Sequence, residues 1–229
     1  MVNIIDEKSY RNERKFFIED LSLHQVLLIV KLHPAGFSIA YPPRWVNNIY
    51  FDTHQFDSYE ENVSGIAERL KVRLRWYDDF FGLAKESILE LKIKKGFVGT
   101  KQHYDFGPFK FEKGFSDAGW LETLKKSLLP DDVKRRMKDL RPVLFNKYLR
   151  RYFKSADKRY RLTVDSDMAY FCPRRGMNYF REKYVDYNKI IVELKYETVN
   201  DPGANRISAF FPFRVTKISK YVQGIDKYL

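Results

Sequence analysis

The chain has 229 residues, 44% of them hydrophobic, and carries 42 Lys and Arg against 30 Asp and Glu, a formal net charge of +12 at pH 7. A single cysteine, Cys172, excludes an intramolecular disulfide, and four scattered histidines offer no cysteine-based zinc site and no H-x-x-x-H pair. No window approaches eighteen uninterrupted apolar residues and the charged N-terminus lacks an apolar stretch, so neither a transmembrane helix nor a secretory signal is expected; the cation excess favours polyanionic partners.

In chain order, "YRNERKFFI" (10–18) reads as a first strand. "LSLHQVLLIVKLHP" reads as an amphipathic helix capped by Ser22 and ended before Pro34. "WVNNIYFDT" is a strand and "HQFDSYEENVSG" a turn or short helical segment. "ERLKVRLRWYDD" and "SILELKIKKG", stopped by Gly96, are strands, and "VGTKQHYDFG" continues the hairpin. Residues 116–140 take helical spacing, split in two by Pro130. Strands resume in "PVLFNKYLRRYFKS", "YRLTVDSDM", "KIIVELKYE" and "FPFRVTKIS", and "SKYVQGIDKYL" closes the chain as a helix. No Pro/Gly-rich hinge divides the chain, which reads as one domain. The expected class is α+β dominated by antiparallel strands, in which a closed barrel removes the exposed sheet edges.

Alternate side chains of a strand point to opposite faces. In "ERLKVRLRWY", Arg69, Lys71, Arg73 and Arg75 therefore share one face, with Leu70, Val72, Leu74 and Trp76 on the other. The same test groups Glu13 with Lys15, Glu90 with Lys92 and Lys94, Tyr148 with Arg150 and Tyr152, Arg161 with Thr163 and Asp165, and Glu193 with Lys195. Lys217 and Lys220 follow in "RVTKISK". A single wet face on one antiparallel strand means only solvent exposure. Six strands with cations and an occasional carboxylate suit phosphates held by Arg and Lys, and a divalent ion held through carboxylates. With these faces turned inward, the barrel interior is polar and the apolar faces pack outward on the helices. Tyr and Phe alternate mostly onto the apolar faces, which argues against base stacking and a nucleic-acid partner. Cys172 reads as an incidental loop residue, His54 as a surface or capping histidine, Asp52 and Asp165 as turn or network residues, with Asp165 alternatively near the barrel interior, and "KRRMK" (134–138) as a solvated helix face. Gly96 and Gly99 form no phosphate-binding Walker loop.

"NERKFF", "NNIYFDT", "ERLKVRLRWY", "ELKIKKG", "RLTVD", "IVELKY" and "ISKYVQG", in this order over roughly residues 8–226, resemble the VTC domain, the polyphosphate polymerase domain of the CYTH or triphosphate-tunnel superfamily. The resemblance implies one domain over residues 1–229, with a closed eight-stranded antiparallel barrel and flanking helices. It implies transfer of the γ-phosphoryl of ATP onto a growing inorganic polyphosphate, assisted by Mn²⁺ or Mg²⁺. By motif position, Lys15, Arg73, Arg75, Lys92 and Arg150 are the implied catalytic cations. Lys71, Lys101, Arg161, Lys195, Lys217 and Lys220 are implied to bind substrate. Glu193 is the implied principal metal carboxylate, supported by Glu13 and Glu90. The superfamily's hydrolases carry E-x-E-x-K on the first strand; here Arg11 stands in place of the first glutamate, which favours the polymerase branch over a triphosphatase. A non-catalytic polyanion-binding module is the remaining alternative. The expected location is the cytoplasm, or peripherally at a membrane if a membrane-protein partner is supplied in trans.

Overall fold

The computed structural model describes residues 11–95, 98–112, 115, 117–173 and 180–228. Strand β1 (Arg11–Ile18) leads into helix α1 (Leu23–Leu32). There the Ser22 side chain accepts from the Gln25 amide while the Gln25 side chain accepts from the Ser22 amide, a reciprocal capping box. Strand β2 (Ser38–Asp52), helix α2 (Asp57–Val63) and strand β3 (Arg69–Tyr77) follow. Next come β4 (Gly82–Ala84), β5 (Ser87–Lys95), β6 (Val98–Asp105) and β7 (Phe109–Phe111). Helices α3 (Asp117–Lys126) and α4 (Asp131–Met137) are separated as expected at Pro130, which has no N–H to continue a helix. Strands β8 (Arg141–Lys154), β9 (Tyr160–Pro173), β10 (Phe180–Asp186) and β11 (Ile190–Glu197) precede α5 (Asp201–Phe210) and α6 (Lys220–Ile225). The strand end expected at Gly96 lies outside the described residues.

Eight strands form one antiparallel path, β1-β11-β9-β8-β2-β3-β5-β6, with β10 paired to β9 beside it. The sheet curls but does not close, which corrects the closed-barrel expectation: β1 and β6 are its two ends. The reason lies in "FPFRVTKIS". This segment is not a strand but a strap along the free edge of β1. Val215 makes a lone bridge to Phe16, and the Thr216 amide donates to the Lys15 carbonyl at 2.8 Å. The strap thus satisfies edge groups of β1 that barrel closure would otherwise pair. Sequence reading also did not separate out the short β4–β7 pair, β10 or helix α5.

The outer face of the sheet is apolar, as the alternation requires. Val72, Leu74 and Trp76 of β3, with Leu89 and Leu91 of β5, pack beneath Trp120, Leu124, Val133 and Met137 of α3 and α4. On the other flank, Phe16, Val192, Leu194, Leu162 and Val164 pack beneath Val26 and Val30 of α1 and Ala204 and Ile207 of α5. A third cluster joins Tyr221 and Ile225 of α6 to Tyr50, Leu144, Tyr148, Met168, Tyr170 and Ile191, so α6 packs across the inside of the curl. Gly224 permits this approach: a Cβ there would lie 2.7 Å from Tyr170 Cδ1.

Candidate functional site

The concave face carries the charges. Strand register places Arg73 opposite Glu90, and Glu90 opposite His103. Glu90 accepts from Arg73 Nε at 2.5 Å and Arg75 Nη1 at 3.1 Å, with Lys101 Nζ at 3.7 Å and His103 Nε2 at 4.0 Å. Burial opposes ionisation of Glu90, but the charges of Arg73, Arg75 and Lys101 override it and hold the carboxyl well below the usual range. Arg75 is fixed further by donating to Asn48 Oδ1 at 3.0 Å, and Asn48 donates to Asn146 Oδ1 at 2.9 Å.

One row higher, Lys71, Lys92 and Lys101 stand directly opposite one another on β3, β5 and β6. Like charges in that arrangement repel. Burial, then the charges of Lys92, Lys15, Arg69 and Arg73, push Lys71 down to about 7. Burial likewise lowers Lys92, and takes Lys101 to about 8 despite the pull of Glu90. The tips of Lys92 and Lys101 stay open (59% and 46% of the side chain exposed). Protein surrounds them while the amines remain reachable from the cavity.

A second cluster forms on the opposite wall. Arg150 donates to both oxygens of wholly buried Asp165 at 2.6 Å, and to Glu193 Oε2 at 3.2 Å. From α6, Lys220 Nζ reaches Asp165 Oδ2 at 2.6 Å and Glu193 Oε1 at 3.4 Å. Lys195 sits 2.8 Å and Lys15 3.9 Å from Glu193. Burial opposes ionisation of Glu193 and Asp165 too, and the surrounding cations reverse it, so both carboxyls titrate below their ordinary values. Tyr148, raised by burial, is brought below its ordinary value by Arg150, Arg75 and Lys220. Glu13 links the walls, with Lys195 at 3.5 Å, Lys15 at 3.8 Å and, across the cavity on β5, Lys92 at 3.9 Å.

The structure thus brings together Lys15, Lys71, Arg73, Arg75, Lys92, Lys101, Arg150, Lys195 and Lys220 around Glu13, Glu90 and Glu193. Two expected ligands stand apart. Arg161 is exposed at the rim, in an open cleft of about 200 Å³ that it lines with Lys154, Lys158, Arg159, Lys195, Tyr196 and Glu197. Lys217 is exposed on the strap, and no ion pair joins it to the network of described residues. The Arg11 side chain lies outside the described residues. Asp165, read as a turn or network residue or alternatively as one near the barrel interior, is the main member outside the expected ligand set; its place beside Arg161 and Thr163 on an alternating face was the signal. Asn48, Asn146 and His103 carried no such signal, because only cross-strand register brings them in. Asp52 is a network residue: it accepts from the amides of Thr53, Ser58 and Tyr59 and from the Tyr221 hydroxyl, tying α2 to α6. Cys172 is not in a loop but within β9, opposite Glu182, and is half-buried.

Among the described residues no three His, Cys, Asp or Glu cluster as an all-protein metal cage. Glu90 is locked by two arginines, and Glu193 is ringed by four cations. Glu13, 26% exposed and held among the described residues by lysines at 3.5 Å or more, is the most open of the three expected metal carboxylates.

A curled antiparallel sheet whose concave face is lined with paired cations defines the triphosphate-tunnel class. The chain belongs to the VTC domain family, whose model matches residues 10–229. Among solved structures it is similar to a protein of Pyrococcus horikoshii, at 12% identity and a TM-score of 0.53, covering 95% of this chain and 99% of that one. It is also similar to a Hippeastrum protein described as an assumed adenylyl cyclase with a dominant triphosphatase activity, at 15% identity and a TM-score of 0.52, covering 95% and 96%. At these identities the likeness shows the fold alone. No curated protein matches the chain in sequence. Among the described residues no helix is long and apolar enough to cross a membrane.

Proposed function

We propose that residues 1–229 act as one tunnel domain that lengthens inorganic polyphosphate, moving the γ-phosphoryl of ATP onto the chain end and releasing ADP. The row Lys71–Lys92–Lys101 carries this reading. Three lysines in cross-strand register repel one another in the free protein and are relieved by a phosphate chain laid across them. In the transfer, a terminal phosphate oxygen of the acceptor attacks the γ-phosphorus. The bond from that phosphorus to the bridging oxygen breaks, and its electron pair leaves on ADP. The nucleophile is already anionic at neutral pH, so no general base is needed, and catalysis is positioning plus charge stabilisation. Arg73 and Arg75 present fixed guanidinium groups to phosphate oxygens, Arg150 adds its positive charge while its fork stays on Asp165, and Lys15 and Lys92 act as movable point charges. Lys71, Lys101, Lys195 and Lys220 extend the anion path inside, and Arg161 and Lys217 extend it outside.

Mg²⁺ or Mn²⁺ is commonly held by one or two carboxylates together with substrate phosphates. The residues fit that mode, with Glu13 or Glu193 as the protein donor and Glu90 excluded by its two arginines. When bound, the ion neutralises charge on the transferred group. The cations ringing Glu193 and Glu90 support transfer between two anionic chains over activation of water. The triphosphatase reading uses the same cations with water as acceptor, and the binding-module reading uses them with no turnover. A cytoplasmic location and a membrane partner in trans belong to this proposal and rest on the family alone.

The test is incubation of the purified chain with ATP and Mn²⁺, with products resolved by gel and phosphorus NMR. A polyphosphate ladder with stoichiometric ADP is expected, and Arg75→Ala or Lys92→Ala loses most of it while remaining folded by circular dichroism. Orthophosphate without a ladder replaces the polymerase by the triphosphatase. Binding without turnover replaces both by the module.

A further inference from the structure

A wall of cations recognises phosphate but does not distinguish ATP from inorganic triphosphate. One part of the cavity rim is built differently. Two residues beyond Arg75 on the same strand face lies Tyr77, and two beyond Arg150 lies Tyr152, each about 7 Å further out at the rise of an extended strand. Between them stands Arg44, paired in register with Arg150. Its guanidinium carbon is 4.6 Å from the Tyr77 ring centroid and 5.2 Å from that of Tyr152. Tyr41, 62% exposed, meets Tyr152 edge-on with ring centroids 5.9 Å apart. A planar cation between two rings, with a third ring open to solvent, is a surface on which an aromatic base stacks. The neighbouring arc of the rim has the opposite character. At Lys154, Lys158, Arg159 and Arg161 there is cationic charge and little ring surface, which suits further phosphates.

We propose that the Tyr41–Arg44–Tyr77–Tyr152 rim is a nucleobase subsite that holds the purine of ATP by stacking and so points its triphosphate inward at Arg75 and Arg150. This rests on ATP being the phosphoryl donor. The subsite gives the cavity a donor polarity: the base stays at the β2–β8 rim while the γ-phosphate reaches the lysine row. Tyr152 was already grouped with Arg150 by the alternation of its strand; Tyr77 joins it on the charged face, an exception to the mostly apolar placement of the aromatic side chains.

The test compares ATP with inorganic triphosphate, each titrated calorimetrically without metal into the wild type, Tyr41→Ala, and the double variant Arg44→Ala/Tyr152→Leu. The double variant is expected to weaken ATP on the order of tenfold, the worth of one stacked base, and to leave triphosphate unchanged. Tyr41→Ala, a surface change that spares the fold, weakens ATP alone by a smaller factor. A 2-aminopurine ribonucleoside triphosphate is quenched on binding the wild type and less so on binding either variant. Equal weakening of ATP and triphosphate, or no change in either, overturns the subsite and leaves the polymerase reading standing. A wild type that holds triphosphate but binds ATP no more tightly also overturns it. A wild type that holds neither ligand overturns both.

Discussion

The two walls of the cavity are built from the same residue types and differ in what holds them. On the β3–β5–β6 wall, Glu90 is a single carboxylate among Arg73, Arg75, Lys101 and His103, all supplied by neighbouring strands. On the β8–β9–β11 wall, Asp165 and Glu193 share Arg150 and Lys220, Glu193 also holds Lys195, and Lys220 comes from α6. The first wall keeps amines open to the cavity. The second is buried and fastens the C-terminal helix. A cationic lining is therefore not uniformly a binding surface: part of it is the latch that keeps the cavity in shape.

The largest test of this contrast is Asp165→Ala. It takes from buried Arg150 and Lys220 their closer carboxylate and leaves them only Glu193, at 3.2 and 3.4 Å, and is expected to cost about 3 kcal/mol in urea unfolding. Glu90→Gln is expected to cost clearly less, because Arg73 keeps access to solvent (26% of its side chain). Equal losses would erase the distinction between latch and binding wall. Gly224→Ala comes next. Its methyl meets Leu144 and Tyr170, so α6 must shift, at about 1–3 kcal/mol; an unchanged melting temperature would show that α6 is not tightly seated.

Lys71→Met is expected to raise the melting temperature of the free protein slightly, since it removes one member of a repelling row. It should also reduce the gain in melting temperature on adding triphosphate. A variant that is less stable and binds as well would remove the row from the anion site.

The pH dependence follows from the same row. Lys71 is near 7 in the folded state and near 10.4 unfolded, so between those values the unfolded chain holds the extra proton. Stability of the free protein accordingly rises with pH across that window and is flat, for this group, below about 7. Triphosphate affinity runs the other way and falls between about pH 6.5 and 8.5 as Lys71 and then Lys101, near 8, lose charge. Calorimetric titrations across that range check it, and a flat profile would exclude both amines from the site. The smallest effect is expected at Lys217→Ala, exposed on the strap, against a large loss at Lys220→Met, two elements of the same short motif with different surroundings.

Much of this was legible in the alternation of "ERLKVRLRWY", "ILELKIKKG" and "IIVELKYE". Period-two patterning fixes which residues share a face, and the apolar partners fix which face meets the helices. Capping at Ser22 and the break at Pro130 were equally local. What alternation cannot give is which residue of one strand stands opposite which residue of the next. That Lys71, Lys92 and Lys101 form a row, or that Asn48 meets Asn146 and Arg75, follows from register, which long-range packing sets. "FPFRVTKIS" misled because its apolar spacing suits a strand, while Pro212 cannot donate to a ladder and the edge it reaches needs only a strap.

The sequence by itself determined the two-faced strands and a charge balance that calls for a polyanion, because these depend on side-chain period and composition. The tertiary structure decided that the sheet stays open between β1 and β6, that α6 fills the curl and commits Lys220 to Asp165, and that Arg44 stands between Tyr77 and Tyr152. Each of these is settled by contacts between segments far apart in the chain, where burial and pairing energies outweigh any local preference.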